Sequence, residues 1–227
     1  DCEGAIRSFL RKALLTKLDQ RNVATWVDEL NTISSVFVKI TTNLFERNQE
    51  SHLYCMAINE CLHSMQEAVL NNEGMVCQFL QDEKGIIFFA AFGVAPFTHP
   101  DDPARAVKTA MQIHSKLHTA GISCAIGICT GDVFTGVVGS NTRKEYTLLG
   151  DRINTSARIM GVAISKGIGV LCDQATYEFC NRRPKKFLRC VGGPSLRKKE
   201  KAKALNWPQN FSWRESSFIY YMQAIIF

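Results

Sequence analysis

The sequence predicts an α+β fold, a ferredoxin-like antiparallel sheet with covering helices. Two observations carry this. Strand-like apolar runs alternate with amphipathic stretches of helical period in the order β-α-β-β-α-β across residues 33 to 139. The 227 residues are 46% hydrophobic, enough for one well-buried domain plus extensions.

The first strand is Ile33 to Ile40, ISSVFVKI. Residues 46 to 71 read as a long helix with Tyr54, Ile58, Cys61, Met65 and Val69 in one stripe, ended by Gly74. Residues 75 to 81 and 86 to 93 are two strands around the polar turn Gln81-Asp82-Glu83-Lys84-Gly85. Asp101-Asp102-Pro103 starts a helix, with an acidic cap and proline in the first turn. That helix turns Ala106, Val107, Ala110, Ile113 and Leu117 inward. Between Cys124 and Gly139 two apolar runs are joined by Gly131-Asp132, and Gly-Asp in this setting predicts a tight hairpin of the primed type. Residues 145 to 149 form a short strand that Gly150 breaks. A helix follows with Ile153, Ala157 and Met160 on one face. Gly167 to Leu171 reads as a buried strand, Asp173 caps a short helix to about Cys180, and Phe218 to Phe227 is a candidate strand.

The net charge of +6 is a local property. Residues 182 to 203 hold ten Lys/Arg and one Glu, leaving seventeen basic against twenty acidic residues elsewhere. From about Val191 the text is polar, basic and without a period, and is expected to be a flexible tail. No apolar run approaches the ~20 residues of a membrane span. The opening Asp-Cys-Glu-Gly-Ala lacks a signal-peptide pattern, so the expected location is cytoplasmic with no transmembrane segment. Nine cysteines without a CxxC pair read as reduced core residues. His52 and His63, eleven apart, and the pair His114/His118 lack the partners of a metal site. The strands lack the aromatic pattern of an RNA-binding sheet, so no nucleic acid partner is expected.

Chemistry concentrates after Gly150. Asn154 and Arg158 are four apart on one helix face, pairing an amide that can orient a hydroxyl with a guanidinium that can fork onto a phosphate. Positioning and charge stabilisation are what phosphoryl chemistry asks of a protein. At this spacing the pair also suits a solvated helix face, so its meaning depends on context.

The context is IGICTGDVFTGVVGS followed by KEYTLLGDRINTSARIM. Together these resemble the catalytic domains of class III nucleotidyl cyclases, the adenylyl and guanylyl cyclases, and most of all the second catalytic domains of the bicarbonate-responsive soluble adenylyl cyclases. In that family two such domains meet head to tail with the nucleotide between them. One half brings two aspartates and a pair of Mg²⁺ or Mn²⁺ ions, and the other brings base-reading groups and the Asn/Arg pair. The resemblance makes this chain the second kind of half. Asn154 would position the ribose and Arg158 would neutralise the transferring phosphate. Thr147, three before Gly150, would read the adenine amino group, with Leu148 offering its backbone to the base. The lysine expected to contact adenine, four residues after the glycine, is replaced by Gln78. The family's first metal aspartate is replaced by Lys39, which cannot ligate Mg²⁺. Asp82 and Glu83 alone cannot make the bridging pair and read as turn residues. No metal ligand is therefore assigned to this chain.

The implied organisation is a linker with a leading amphipathic helix over residues 1–30, a second-half cyclase domain over 31–191 and the basic tail over 192–227. The leading helix, with Ile6, Phe9, Leu10, Ala13, Leu14 and Leu18 on one face, suggests a half excised from a longer protein that also carries the metal-binding partner. The expected function is the complementary half of an adenylyl cyclase, making cyclic AMP and pyrophosphate from ATP and inactive alone. The alternative is an inactive regulatory or dimerisation pseudo-domain, for which Gln78 would mark decay of the site.

Overall fold

The computed structural model describes residues 29–42, 51–82, 85–140, 144–181 and 219–221, with residues 4, 7 and 15. Its elements run β1 (Glu29–Ile40), α1 (Ser51–Asn71), β2 (Met75–Asp82), β3 (Gly85–Phe92), α2 (Asp102–Thr119), β4 (Cys124–Gly139), β5 (Lys144–Leu149), α3 (Asp151–Lys166), β6 (Val170–Asp173), α4 (Gln174–Asn181) and β7 (Ile219–Tyr221). The leading helix apart from residues 4, 7 and 15, residues 46 to 50, Glu83 and the expected tail apart from β7 lie outside the described residues.

The sheet has the order β2-β3-β1-β4-β6-β7, with β5 also on β4. The first four strands are the antiparallel ladder expected of β-α-β-β-α-β, with β1 at the centre between β3 and β4. One pairing is parallel, Ile126–Ile128 of β4 with Val170–Cys172 of β6. The sheet is therefore mixed, because β5 and α3 carry the chain back to run beside β4 in the same direction.

Side-chain alternation on β1 sorts the cores. Val36, Val38 and Ile40 pack beneath α1 and α2 with Met65, Val69, Phe88, Ala110, Ile113 and Ile126. The predicted stripe of α1 lies in this cluster, Cys61, Met65 and Val69 fully buried and Tyr54 and Ile58 at its margin. The opposite face holds two smaller clusters. One, under α3, joins Ala125, Cys129 and Leu171 to Ile159 and Ala163. The other joins Ile33, Met75, Cys77 and Phe89 to Val133, Tyr146 and Leu148.

Four local expectations need correction. Gly131-Asp132 makes no hairpin. Strand β4 runs unbroken for 16 residues and pairs with β1 from Glu29↔Thr135 to Ile40↔Cys124. The Arg152 side chain lies over Gly131, its Nε 2.8 Å from where a Cβ would stand. Asp132 answers Thr32 across the ladder, whose Oγ1 donates to Asp132 Oδ1 at 2.6 Å. Second, the left-handed residue after α1 is Glu73 (φ 59), while Gly74 is small because the Phe92 ring would lie 2.5 Å from its Cβ. Third, Asp101 stands at the N-cap of α2, but its carboxylate takes Arg105 Nε at 3.0 Å and caps no backbone N–H. Fourth, β6 starts at Val170, and Gly167 is instead the left-handed C-cap of α3. The cap on α4 is as expected, Asp173 Oδ1 accepting the Thr176 N–H at 3.1 Å.

Candidate active site

Helix α3 is held against the sheet by an unusually close approach. At Gly127 of β4 a Cβ would stand 2.2 Å from the Ser156 carbonyl oxygen and 2.3 Å from the Met160 nitrogen, so helix backbone lies directly on strand backbone. Ser156, Ile159, Met160 and Ala163 form the buried face. Of the face expected from sequence, Met160 is buried while Ile153 and Ala157 are half-buried. The helix is rolled so that a serine, not an alanine, points into the sheet. Ser156 and Ser35 are both fully buried, and Ser35 Oγ donates to Ser156 Oγ at 2.9 Å.

That roll sends Asn154 and Arg158 outward. Asn154 is exposed and Arg158 half-buried, on the face that begins with Asp151. Arg158 Nη1 lies 4.0 Å from Asp151 Oδ1, at the outer limit of an ion pair, and the Asp151 side chain is 82% exposed. Such a contact contributes little in water. At the same end, Arg152 lies near Cys129. Burial pushes the Cys129 thiol far up from its ordinary value, the Asp173 carboxylate pushes the same way, and Arg152 opposes both. Cys129 therefore stays a thiol and donates to Asp173 Oδ2 at 3.3 Å.

The base-reading candidates come from two strands. Thr147 is half-buried between Tyr146 and Leu148, whose side chains enter the same cluster as Met75, Cys77 and Phe89. Thr147 itself pairs with Gly136 of β4. Gln78 pairs with Phe89, after a register shift between Val76 and Gln78 that makes Cys77 a bulge. The bulge puts Gln78 on the face where Phe89 stacks on Phe37, ring centroids 4.5 Å apart, and Gln78 is exposed there. One cluster thus ties the strands of Thr147 and Gln78 together, while Asn154 and Arg158 follow Thr147 across Gly150 into α3.

Lys39 lies on this same face of β1, paired with Ile87 and Ala125, its Cε 3.8 Å from where a Gly85 Cβ would stand. An ammonium here, next to the β2–β3 hairpin, does not fit a divalent cation. Asp82 ends β2 paired with Gly85, and Glu83 lies outside the described residues. Among the described residues no group of three or more His, Cys, Asp or Glu could hold a metal ion. His114, half-buried under Gly169, and His118, exposed, stack with centroids 6.1 Å apart and have no third ligand among them. Sequence reasoning missed Gly127, Ser35 and Ser156. The available signal was two serines set in the apolar alternation of β1 and of α3.

A β-α-β-β-α-β sheet with a further helix pressed on its second face is the architecture of a class III nucleotidyl cyclase catalytic domain. The chain belongs to the family described as adenylate and guanylate cyclase catalytic domain, whose model matches residues 5–204. It is 28% identical over 206 residues to adenylate cyclase type 10 of Oryctolagus cuniculus, covering 85% of this chain and 12% of that protein. To adenylate cyclase type 10 of Homo sapiens it is 27% identical over 201 residues, covering 84% and 12%. The chain thus spans about an eighth of the length of these curated relatives. Among solved structures, a bacterial light-regulated adenylyl cyclase superposes with TM-score 0.74 at 16% identity, covering 97% of this chain and 60% of that one. The adenylyl cyclase CyaB from P. aeruginosa gives TM-score 0.67 at 18% identity, covering 87% and 96%. These likenesses show the fold. No helix among the described residues is long and apolar enough to cross a membrane.

Proposed function

We propose that this chain is the complementary half of an adenylyl cyclase, converting ATP to cyclic AMP and pyrophosphate at an interface with a metal-binding cyclase half. The observation that carries the reading is the pairing of Asn154 and Arg158 on the outward face of α3 with Lys39 in place of a metal carboxylate. One half of the chemistry is equipped and the other is excluded. The Mg²⁺ or Mn²⁺ of the family would then belong to the partner, a domain of the same parent chain, in the cytoplasm. Within this chain the catalytic unit is residues 31–191.

Each residue has a definable task. The Thr147 hydroxyl accepts from the adenine amino group, which favours ATP over GTP, and Leu148, its side chain committed to the core, offers backbone to the base. Gln78 presents an uncharged amide at the base edge. Asn154 holds the ribose so that its 3′-oxygen lines up on the α-phosphorus. Arg158 forks onto the α-phosphate oxygens and stabilises charge that grows as pyrophosphate leaves.

The test is cyclic AMP formation by this chain mixed with a metal-binding cyclase half under Mg²⁺-ATP. The chain alone is expected to make none. The mixture is expected to be active, and Arg158→Ala to lower kcat at least about a hundredfold. Activity of the pure chain, or an Arg158→Ala mixture equal to wild type, overturns the reading. A second reading, a regulatory or dimerisation pseudo-domain, is favoured by one observation, the uncharged Gln78 at the base-reading position. Under that reading the two halves associate without product.

A further inference from the structure

The direction of Asn154 and Arg158 is not set by α3 itself. A helix lying on a sheet can slide and roll, and both motions move side chains on its far side. Two features remove these freedoms here. Gly127 fixes how close the helix lies, since Ser156 O and Met160 N occupy the space a side chain would take. A hydroxyl chain fixes the roll. The single Ser35 hydrogen is shared between the Cys129 carbonyl at 3.1 Å and Ser156 Oγ at 2.9 Å. Ser156 passes its own hydrogen to the Ile153 carbonyl at 2.8 Å. The chain runs from the backbone of β4, through β1, into the first turns of α3.

We infer that Ser35 is a positioning residue for the nucleotide site, acting through Ser156 on the aim of Asn154 and Arg158. Ser156 lies midway between them in sequence. At about 100° per residue, each is roughly 160° around the helix from Ser156, and the two are only about 40° apart. With Ser156 bound to Ser35 the two functional side chains share one outward direction. Without that bond the roll is held by apolar contacts from Ile153, Ile159, Met160 and Ala163 and by the Arg152 side chain lying on Gly131. The first turns, where the site lies, lose the buried hydrogen bond at Ser156 that is directly opposite Asn154 and Arg158. No ligand contact by Ser35 is required, because it is fully buried on the sheet side of the helix.

This inference rests on the reading of Asn154 and Arg158 as nucleotide-handling groups, and the experiment separates the two. Ser35→Ala, Arg158→Ala and the double variant are assayed in mixture with a metal-binding half under Mg²⁺-ATP, and thermal unfolding is recorded for each. Ser35→Ala is expected to lower kcat about tenfold with KM within about twofold. In the Arg158→Ala background the same change is expected to cost about threefold or less, because one of the two groups it aims is gone. Equal losses in both backgrounds overturn the positioning role and leave the Arg158 reading standing. No loss from Arg158→Ala overturns that reading instead. Amide hydrogen exchange over residues 153–158 checks the restraint without any activity. It is expected to accelerate in Ser35→Ala while α1 is unchanged, and unchanged exchange in α3 overturns the inference.

Discussion

Substituting Gly127 by alanine tests how the site is built at its tightest point. The backbone there is extended and accepts alanine, so any effect comes from the added methyl and not from φ. That methyl would stand 2.2 Å from Ser156 O, 2.3 Å from Met160 N and 2.9 Å from Met160 Cα, where ordinary contact begins at 3.4 Å. These are backbone atoms of a helix and cannot rotate away, so α3 must lift by roughly 1 Å. Overpacking of this kind costs about 2 kcal/mol, a fall in Tm of roughly 4–8 °C for a domain of this size. A 1 Å displacement of Asn154 and Arg158 costs about a hundredfold in kcat. Thermal unfolding of the purified chain reads the first number and cyclic AMP formation with a metal-binding half reads the second. A Gly127→Ala protein with wild-type Tm and wild-type kcat would refute the close seating of α3 as the basis of the site.

Asp173 accepts from Thr176 N, Thr176 Oγ1, Thr130 N and Cys129 Sγ, so Asp173→Ala leaves several buried donors unmatched. It should cost about 3 kcal/mol, and a Tm within 1 °C of wild type would contradict the network. Asp102, buried at the start of α2, has its carboxyl pushed above the usual range by burial, with the His99 N–H, the His99 ring and Arg105 opposing, and Asp101 and Glu73 in the same cluster. A folded pKa above the unfolded one means the folded state holds the extra proton, so stability falls as pH rises from about 4 through the raised value. Asp102→Asn should flatten urea-unfolding stability over that window, and an unchanged slope would contradict the assignment. Among the described cysteines, Cys55 is exposed while Cys124, its thiol pushed by burial to about 12, and Cys129 and Cys172 are buried. Iodoacetamide at pH 8 should label Cys55 before Cys124, Cys129 and Cys172 by mass spectrometry, and early labelling of Cys124 would contradict the buried thiols.

Periodicity made most of the fold legible. The stripe of α1 and the inward positions of α2 occupy the core that their spacing predicted, because amphipathic period and burial are the same fact seen twice. Glycine was read less well, since a glycine can mean a turn or a close contact and the sequence does not say which. Gly131 and Gly74 looked like punctuation, yet each makes room, one for Arg152 and the other for Phe92. Gly127 is the same case and was passed over inside an apolar run. For the site, the spacing of Asn154 and Arg158 was visible because it lies along one helix. The contact of Ser35 with Ser156 was not, because it joins residues 121 apart and depends on the roll of α3. Gln78 could be counted from Gly74, but its face depends on the bulge at Cys77, which no local pattern announces.

The β1–β4 ladder also dictates an order of assembly. Its register joins residues from 84 apart, Ile40 with Cys124, to 106 apart, Glu29 with Thr135. Closing such loops is entropically slow compared with the β2–β3 hairpin, which joins neighbours across a short turn. Helix α3 docks on Gly127, a central residue of that slow ladder, paired with Phe37. Its seat exists only once β1 has waited for some ninety further residues to be synthesised and has found β4. The surface that α3 presents thereby forms only after the β1–β4 register has been found, so its chemistry depends on strands that meet some ninety residues apart.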